Sequence, residues 1–172
     1  MSLLRRFQSR VQFPLIRIDD RLIHGQVILG WAEPLRIRPL ILAHDGIAQD
    51  QDLKKAIMAT VPAHFDFSIK SISDSVSIIN NSPSSQHLMV VAESPAAVLA
   101  LWEHGAVLKS FNIGGLHFKE DRIKLLPYVS MSRREINQIG DLVRSGIKVC
   151  CQDLPSTLPV SWAKLTEKLD IE

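Results

Sequence analysis

The alternation of short apolar segments with helical ones is the feature of this 172-residue sequence that most constrains its fold. Strands are predicted at 13–18, 38–43, 65–69, 87–92, 110–113 and 147–152, with a further short strand at 123–129. Helices are predicted between and after them, at 25–32, 50–60, 74–80, 94–103, 132–144 and 162–169. Such alternation is typical of crossover units, in which each helix carries the chain back to start a parallel strand. The sequence therefore predicts a single-domain α/β fold with an open, mostly parallel, twisted sheet of about six to seven strands and helices packed on its faces.

Local signals add detail to this arrangement. Pro34 is expected to stop the first helix, because proline disrupts a helix interior. The tripeptide 44–46, His-Asp-Gly, is a turn signal. The helix at 50–60 carries Leu53, Ile57 and Met58 on one face, which is the pattern of an amphipathic helix.

Composition excludes some classes of protein. No apolar run approaches the ~18 residues of a membrane span, and the formal net charge of +2 gives a nucleic-acid role no support. The first 38 residues hold seven arginines against three carboxylates, which suits an anionic ligand or an acidic partner. For Arg5, Arg6 and Arg10 a solvated basic tail, residues 1–12, is the better interpretation. Cys150 and Cys151 are adjacent on a strand, a poor geometry for a disulfide, which favours a reduced, cytoplasmic protein.

Polar segments follow the first and fifth predicted strands. Residues 19–24 follow the first, and 112–117 follow the fifth. The carboxyl ends of parallel strands meet at one edge of the sheet, where ligands of such folds bind. We expect these two segments to share one site.

The segment after the first strand has the residue types that phosphoryl transfer needs. A neutral imidazole is nucleophilic near pH 7, so His24 is the candidate nucleophile. A carboxylate can fix its tautomer and stabilise the developing charge, which makes Asp19 and Asp20 candidate orienting groups. His24 stands where the next helix begins, so free backbone N–H groups would face the phosphate, and Gly25 would allow close approach.

Two arginines of the same segment are candidate phosphate clamps. A guanidinium can grip two phosphate oxygens at once, and the transition state needs nearby cations, so Arg17 and Arg21 suit that role. Simpler alternatives exist for each residue type. Arg17 could be a strand residue that points to solvent, an aspartate could be a helix cap, and His24 could be a turn residue.

Other sites are less favoured. The six histidines lack the paired spacing of zinc motifs, although His44 and His117 could approach His24 at the strand ends. Gly114 and Gly115 lack both the dinucleotide-binding and the P-loop pattern. No metal site is predicted.

Two segments carry a family resemblance. Residues 17–27, Arg-Ile-Asp-Asp-Arg-Leu-Ile-His-Gly-Gln-Val, resemble the phosphorylation-site motif of the enzyme IIB components of the mannose/fructose/sorbose class of the bacterial sugar phosphotransferase system. Residues 111–117, Phe-Asn-Ile-Gly-Gly-Leu-His, resemble the Asn-x-Gly-Gly loop of that family. The resemblance extends from Phe13 to about Leu169, and it implies a IIB domain at 13–172.

The resemblance implies a specific activity. Such a protein is cytoplasmic, with peripheral association to the permease, and takes a phosphoryl group from a phosphohistidine on a IIA partner. It passes the group to a sugar held by the membrane components IIC and IID, as a protein-N(pi)-phosphohistidine–sugar phosphotransferase. Neither a metal nor an organic cofactor is implied.

The resemblance also implies site residues. By motif position His24 is the phosphorylated histidine, with matched catalytic neighbours at Arg17, Asp19 and Arg21. The phosphate and partner loops comprise Asp20, Gly25, Gln26, Asn112, Gly114 and Gly115.

Departures from the family pattern keep alternatives open. The family often has small or hydroxyl residues before its tryptophan, whereas Ile28, Leu29 and Gly30 precede Trp31 here. The second strand is followed by 44–46 rather than by paired acidic residues. A phosphorylation-responsive regulator, or an anion-binding module without transfer, remains an alternative. The sugar, the phosphorylated imidazole nitrogen and any homo-oligomer are left open.

Overall fold

The computed structural model describes residues 11–167 and 169. The predicted tail, 1–12, therefore lies outside the described residues except for its last two. The helices and strands, in chain order, are β1 (Leu15–Asp19), α1 (a π-helical segment, Gln26–Ala32, continued by an α-helical turn, Glu33–Leu35), β2 (Leu40–Ala43), α2 (Asp45–Gln49), α3 (Gln51–Thr60), β3 (Phe67–Lys70), α4 (Ile72–Asn81), β4 (Met89–Ala92), α5 (Pro95–Glu103), β5 (Ser110–Gly115), β6 (Ile123–Leu126), β7 (Val129–Met131), α6 (Arg133–Arg144), β8 (Lys148–Cys151), β9 (Val160–Ser161) and α7 (Trp162–Thr166).

Seven of the described strands form one sheet in the order β3-β2-β4-β1-β5-β8-β9. Neighbouring strands are parallel, except that β9 runs antiparallel to β8. The strands β6 and β7 form a separate antiparallel hairpin. The predicted α/β fold with a mostly parallel sheet is confirmed. The central strand β1 lies between β4 and β5. The strands β2, β3 and β4 therefore lie on one side of it, and β5, β8 and β9 lie on the other.

The sheet is buried on both faces. Ile16 and Ile18 of β1 belong to one hydrophobic cluster, which includes residues of α4, α5 and α6. Leu15 belongs to the second cluster, on the face covered by α1, where Trp31 is almost fully buried. Because side chains alternate along a strand, the next inward positions on that face are Arg17 and Asp19, and both are fully buried. The fold thus places two charged side chains under α1.

The first helix differs from the prediction in its helix type and in the residue at which it ends. It begins as a π-helix, a form that is often found at functional sites. Pro34 does not stop it, because the helix continues to Leu35 and ends where Arg36 adopts a left-handed conformation. Pro34 is instead part of the short α-helical segment that follows the π-helical one.

Four other predictions are corrected. The tripeptide 44–46 begins the short helix α2 rather than a turn, because the His44 ring caps it by accepting from the Ile47 N–H at 3.2 Å. The single strand predicted at 123–129 is two strands, the antiparallel hairpin of β6 and β7. The apolar face predicted on α3 is present but only partly covered, because Ile57 packs against the second cluster while 44% of Leu53 and 42% of Met58 are exposed. The last helix ends at Thr166 instead of 169.

Candidate functional site

The two predicted segments meet at the carboxyl ends of β1 and β5. Asp19, the last residue of β1, pairs with Gly115, the last residue of β5, just after an irregularity in the strand register. The Asp20 N–H donates to the Gly115 carbonyl at 3.1 Å, and the Leu22 N–H donates to the Asp19 carbonyl at 3.0 Å. Leu22 adopts a left-handed conformation with φ of 60°, which turns the chain back toward the sheet. This turn brings His24, two residues after Leu22, next to Asp19.

Asp19 is the centre of the site. Its Oδ2 lies 3.2 Å from Nη2 of Arg17 and 3.1 Å from Nε2 of His24. Its Oδ1 accepts from the backbone N–H and the Nε–H of Arg21, both at 3.3 Å. Burial would raise the pKa of Asp19, but the contact with His24 and the charge of Arg17 outweigh burial, so its pKa lies below the usual 3.8. Asp19 is therefore an ionised carboxylate at neutral pH.

The two ring nitrogens of His24 face different partners. Nδ1 accepts from the Gln26 N–H at 3.3 Å, so the ring proton of the neutral form belongs on Nε2, the nitrogen beside Asp19. The contact of Nε2 with the carboxylate has ion-pair distance but not the alignment of a regular hydrogen bond. Among the described residues, the buried side-chain nitrogen and oxygen atoms without a hydrogen-bond partner are Nε2 of His24 and Nε of Arg17. The His24 side chain is 19% exposed and opens to the surface.

Arg17 does not face the open side of the site. Nη1 donates to Oδ1 of Asn112 at 2.6 Å and to the Gln152 carbonyl at 3.0 Å. Nη2 donates to Asp19 and, at 3.3 Å, to the Asp153 carbonyl. Burial lowers the pKa of Arg17 to about 10, against the opposing effect of Asp19, so the guanidinium remains charged at neutral pH. This placement corrects the interpretation of Arg17 as a phosphate clamp, and also its alternative as a solvent-facing residue.

A closely fitted pocket surrounds the Arg17 guanidinium. On one side its carbon lies 4.7 Å from the centre of the Trp31 ring, and Nε1 of Trp31 donates to the Asp153 carbonyl at 2.7 Å. On the other side is Gly114, where an added Cβ would lie only 1.8 Å from the Arg17 Cζ. A Cβ on Gly115 would lie 3.2 Å from Oδ1 of Asp19. The two glycines of the second segment thus leave room for the buried ion pair.

Arg21 is the exposed arginine of the site. Its side chain is 40% exposed, and Nη2 donates to Oε1 of Gln26 at 2.6 Å. Gly25 has an ordinary helical conformation, and a Cβ added there would meet nothing within 4 Å. The space beside Gly25 is open, so access to His24 from this side is unobstructed.

Asp20 points away from His24, which corrects the interpretation of Asp20 as a second orienting carboxylate. Its carboxylate binds His117, at 2.6 Å from Nδ1, and Nη1 of Arg122, at 3.3 Å. Arg122 also makes a two-point contact with Glu135 at the start of α6. Residues 132–135 have the pattern of a capping box, which accounts for Glu135 at the start of α6 but does not indicate its contact with Arg122. Arg122 itself lies in a segment without a recognisable motif.

Two depressions lie at this end of the sheet. One is a cleft of about 580 Å³ whose lining includes Arg21, Gln26, His117, Lys124, Tyr128 and Asp153. The other is smaller, about 280 Å³, and mostly apolar. It is lined by Ile23, His24, Gly25, Ile28, Leu29, Thr60 and Pro62. The apolar depression thus adjoins His24 directly, whereas the larger cleft adjoins its neighbours Arg21 and Gln26.

The two histidines that the sequence suggested as neighbours of His24 have other partners. Nε2 of His44 lies 3.0 Å from Glu93, and His117 binds Asp20. Over the described residues, no group of three or more His, Cys, Asp and Glu side chains is arranged to hold a metal ion. In the same part of the chain no helix has both the length and the apolar character needed to cross a bilayer.

Comparison with known proteins decides the family. Residues 13–172 match the family described as the PTS system sorbose subfamily IIB component. The chain belongs to this family. It is a IIB component of the phosphotransferase system (PTS), a class that transfers a phosphoryl group from IIA to sugar during transport, with IIA and membrane IIC as partners.

Individual relatives agree with this membership. The fructose-specific EIIB component of Bacillus subtilis (strain 168) is 32% identical over 144 residues, which are 83% of this chain and 88% of the relative. The mannose-specific EIIAB component of Escherichia coli (strain K12) is 26% identical over 157 residues, 91% of this chain and 49% of that protein. A solved structure described as a phosphoenolpyruvate-dependent phosphotransferase system has a TM-score of 0.79 at 29% identity, and covers 91% of this chain and 98% of its own.

Proposed function

We propose that this IIB component carries the phosphoryl group on His24. It accepts the group from a phosphohistidine of IIA and passes it to a sugar held by the membrane components IIC and IID. The observation that supports this most is the 3.1 Å contact between Nε2 of His24 and the buried, ionised Asp19. A fixed carboxylate at that distance stabilises the imidazolium that forms when phosphorus bonds to the other nitrogen.

The nucleophile is therefore Nδ1, the N(pi) atom. Its lone pair forms the new bond to phosphorus, the P–N bond of the donor phosphohistidine breaks, and that electron pair returns to the donor ring. The Nε2 proton stays beside Asp19 throughout. The Gln26 N–H, now 3.3 Å from Nδ1, is released to donate to a phosphoryl oxygen. In the second transfer the sugar hydroxyl oxygen bonds to phosphorus, the N–P bond breaks, and the hydroxyl proton leaves to solvent.

The two arginines of the motif have different roles. Arg21 is half-exposed beside His24 and neutralises the charge of the phosphoryl oxygens. Arg17 is a positioning residue, because its hydrogen bonds hold Asp19 and the second segment together. Asn112 and Gly114 contribute by receiving that guanidinium, and Gly115 by leaving space for the Asp19 carboxylate.

The apolar depression beside His24 receives the IIA partner. The donor must bring its phosphohistidine within bonding distance of His24, so the surface next to His24 is covered during transfer. Leu29 is 64% exposed in that surface, and burial of a side chain of this size on docking stabilises a complex. The E. coli relative, of which the match covers 49%, carries the name EIIAB, which supports a IIA partner for the IIB fold.

The remaining assignments follow from the family. We assign the protein to the cytoplasm, with peripheral contact to the permease, and the IIB domain to residues 13–172. No observation favours the regulatory alternative or the simple anion-binding module over transfer.

The test is incubation with phosphorylated IIA, followed by mapping of the acid-labile phosphate. We expect label on His24 of the wild type and none in His24→Ala. Equal labelling of the two proteins would refute the assignment. Addition of membranes that contain IIC and IID should then discharge the label to sugar phosphate. Retention of the label in their presence would favour the regulator.

A further inference from the structure

A set of polar contacts outside the immediate surroundings of His24 ties the loop at 20–25 to the loop at 116–122. Oδ1 of Asp20 accepts from the His117 ring at 2.6 Å, and Oδ2 accepts from the His117 backbone N–H at 2.8 Å. Nη1 of Arg122 donates to the same Oδ2 at 3.3 Å. The carboxylate of Asp20 is thereby held on both of its oxygens by the neighbouring loop.

Arg122 connects these contacts to a helix. Its Nη1 also donates to the His117 carbonyl at 2.6 Å, while Nε and Nη2 contact the two oxygens of Glu135 at 3.0 and 2.6 Å. Glu135 is itself fixed, because it forms a capping box with Ser132 at the start of α6. Arg122 is 8% exposed, so its bonds are shielded from competing water. We call Asp20, His117, Arg122 and Glu135 the clasp.

We propose that Asp20 and Arg122 are positioning residues for phosphoryl transfer, and that the clasp fixes the loop that carries His24. The proposal rests on the proposed function. Asp20 directly follows Asp19, the carboxylate against which His24 is aligned, and it precedes His24 by four residues. A loop anchored at Asp20 holds the His24 ring at its contact distance from Asp19 before phosphorylated IIA binds. Such alignment acts on the rate of the chemical step rather than on docking.

The clasp contacts neither phosphate nor sugar in this scheme. Its carboxylate is directed to the opposite loop, and its arginine is occupied by two carboxylates and a carbonyl. It therefore acts through the geometry of His24, and its removal should leave the partner-binding surface at Leu29 intact.

The experiment is a kinetic comparison of the intact protein with its Asp20→Ala, Asp20→Asn and Arg122→Ala variants. Purified phosphorylated IIA is varied in concentration, and the initial rate of label transfer to His24 gives a maximal rate and a half-saturating concentration. We expect Asp20→Ala to lower the maximal rate roughly ten- to a hundredfold, with little change in the half-saturating concentration. Asp20→Asn should recover part of the rate, because the amide oxygen still accepts from the His117 N–H.

A double variant and a control distinguish the loss of the clasp contacts from a general loss of folding. Asp20→Ala/Arg122→Ala should transfer no more slowly than the slower single variant, because both changes disrupt the same connected set of contacts. If Arg122→Ala does not fold, His117→Ala replaces it, since His117 is 58% exposed at its side chain. Lys119→Ala removes a cation from the same loop, at an exposed residue, and should transfer at the wild-type rate.

The outcomes distinguish this inference from the function on which it rests. A normal maximal rate in Asp20→Ala, or a raised half-saturating concentration at an unchanged maximal rate, would overturn the role of the clasp alone. Failure of the wild type to accept any label would overturn the proposed function and the clasp with it.

Discussion

Replacement of Gly114 by alanine should displace the buried guanidinium of Arg17. The added Cβ would lie 1.8 Å from Cζ and 1.9 Å from Nη2 of Arg17. Non-bonded carbon atoms rest about 3.5–4.0 Å apart, so the guanidinium must retreat by about 1.7–2.2 Å. The room for retreat is limited by Trp31, whose ring centre lies 4.7 Å from the Arg17 Cζ. The displacement therefore stretches the hydrogen bonds of Arg17, which now measure 2.6–3.3 Å, beyond bonding distance.

The magnitude follows from burial. Both Arg17 and Asp19 are 0% exposed, so solvent does not replace the partners that they lose. Separation of a buried pair in this way costs about 3–5 kcal/mol. For a domain of this size each kilocalorie lowers the melting temperature by about 2–4 °C, which gives a decrease of about 6–20 °C. Asp19 also loses its fixed position under His24, so label transfer well below the melting temperature should slow by roughly ten- to a hundredfold.

Thermal unfolding followed by circular dichroism, together with label transfer from phosphorylated IIA, measures both effects. Gly25→Ala is the stability control, because a Cβ there meets nothing within 4 Å and its backbone is already helical. That variant should melt at or slightly above the wild-type temperature. In an Arg17→Met background the same Gly114→Ala change should add little further loss. If Gly114→Ala melted with the wild type and transferred label normally, the guanidinium would have adapted without cost and the reasoning would be refuted.

Three further changes test other contacts. Because the pKa of Asp19 is lowered in the fold, its ionised form stabilises the protein above the usual 3.8, and that contribution is lost as pH falls through the lower folded value. The difference in unfolding free energy between wild type and Asp19→Asn should therefore shrink from pH 6 to pH 3; a constant difference would contradict this. Leu29→Gln should raise the half-saturating IIA concentration roughly tenfold without a change in melting temperature, whereas Val107→Gln, at a comparably exposed residue, should not. Trp31→Phe removes the bond to the Asp153 carbonyl and should cost about 1–2 kcal/mol in urea unfolding, and an unchanged midpoint would show that this bond contributes nothing.

Periodicity was sufficient to predict the six parallel strands of the sheet, but not its antiparallel edge strand β9. Fully apolar runs such as Met89–Ala92 are buried on both faces, as the central strands of a parallel sheet require. Helix α3 shows what periodicity does not predict. Its apolar face has the correct spacing, yet 44% of Leu53 and 42% of Met58 stay exposed, because spacing does not say whether a face is covered. The form of α1 was also beyond prediction, since a π-helix has no sequence pattern of its own.

The candidate site was likewise only partly predictable from the sequence. The spacing of Asp19 and His24 was enough to suggest their contact, which is local in the chain. The roles of Asp19 and Asp20 could not be separated, because adjacent carboxylates differ only in the direction in which the fold points them. The burial of Arg17 ran against the usual preference of arginine for the surface. Among its partners are the backbone carbonyls of Gln152 and Asp153, more than 130 residues away, and a carbonyl leaves no signature in the sequence.

The buried position of Arg17 explains why one motif needs two arginines. Asp19 contacts His24 and both arginines, and a carboxylate held only by an exposed cation would move with that cation toward an incoming phosphate. Arg17 has its Nη2 on Asp19 and its Nη1 on the neighbouring segment, so in the proposed mechanism the negative charge stays 3.1 Å from Nε2 while Arg21 turns to the phosphoryl oxygens. The charge that stabilises the imidazolium is then in place before the reaction begins, and no reorganisation is required in the transition state. A lysine in place of Arg17 could hold Asp19 or the segment, but it lacks the fork of donors to hold both.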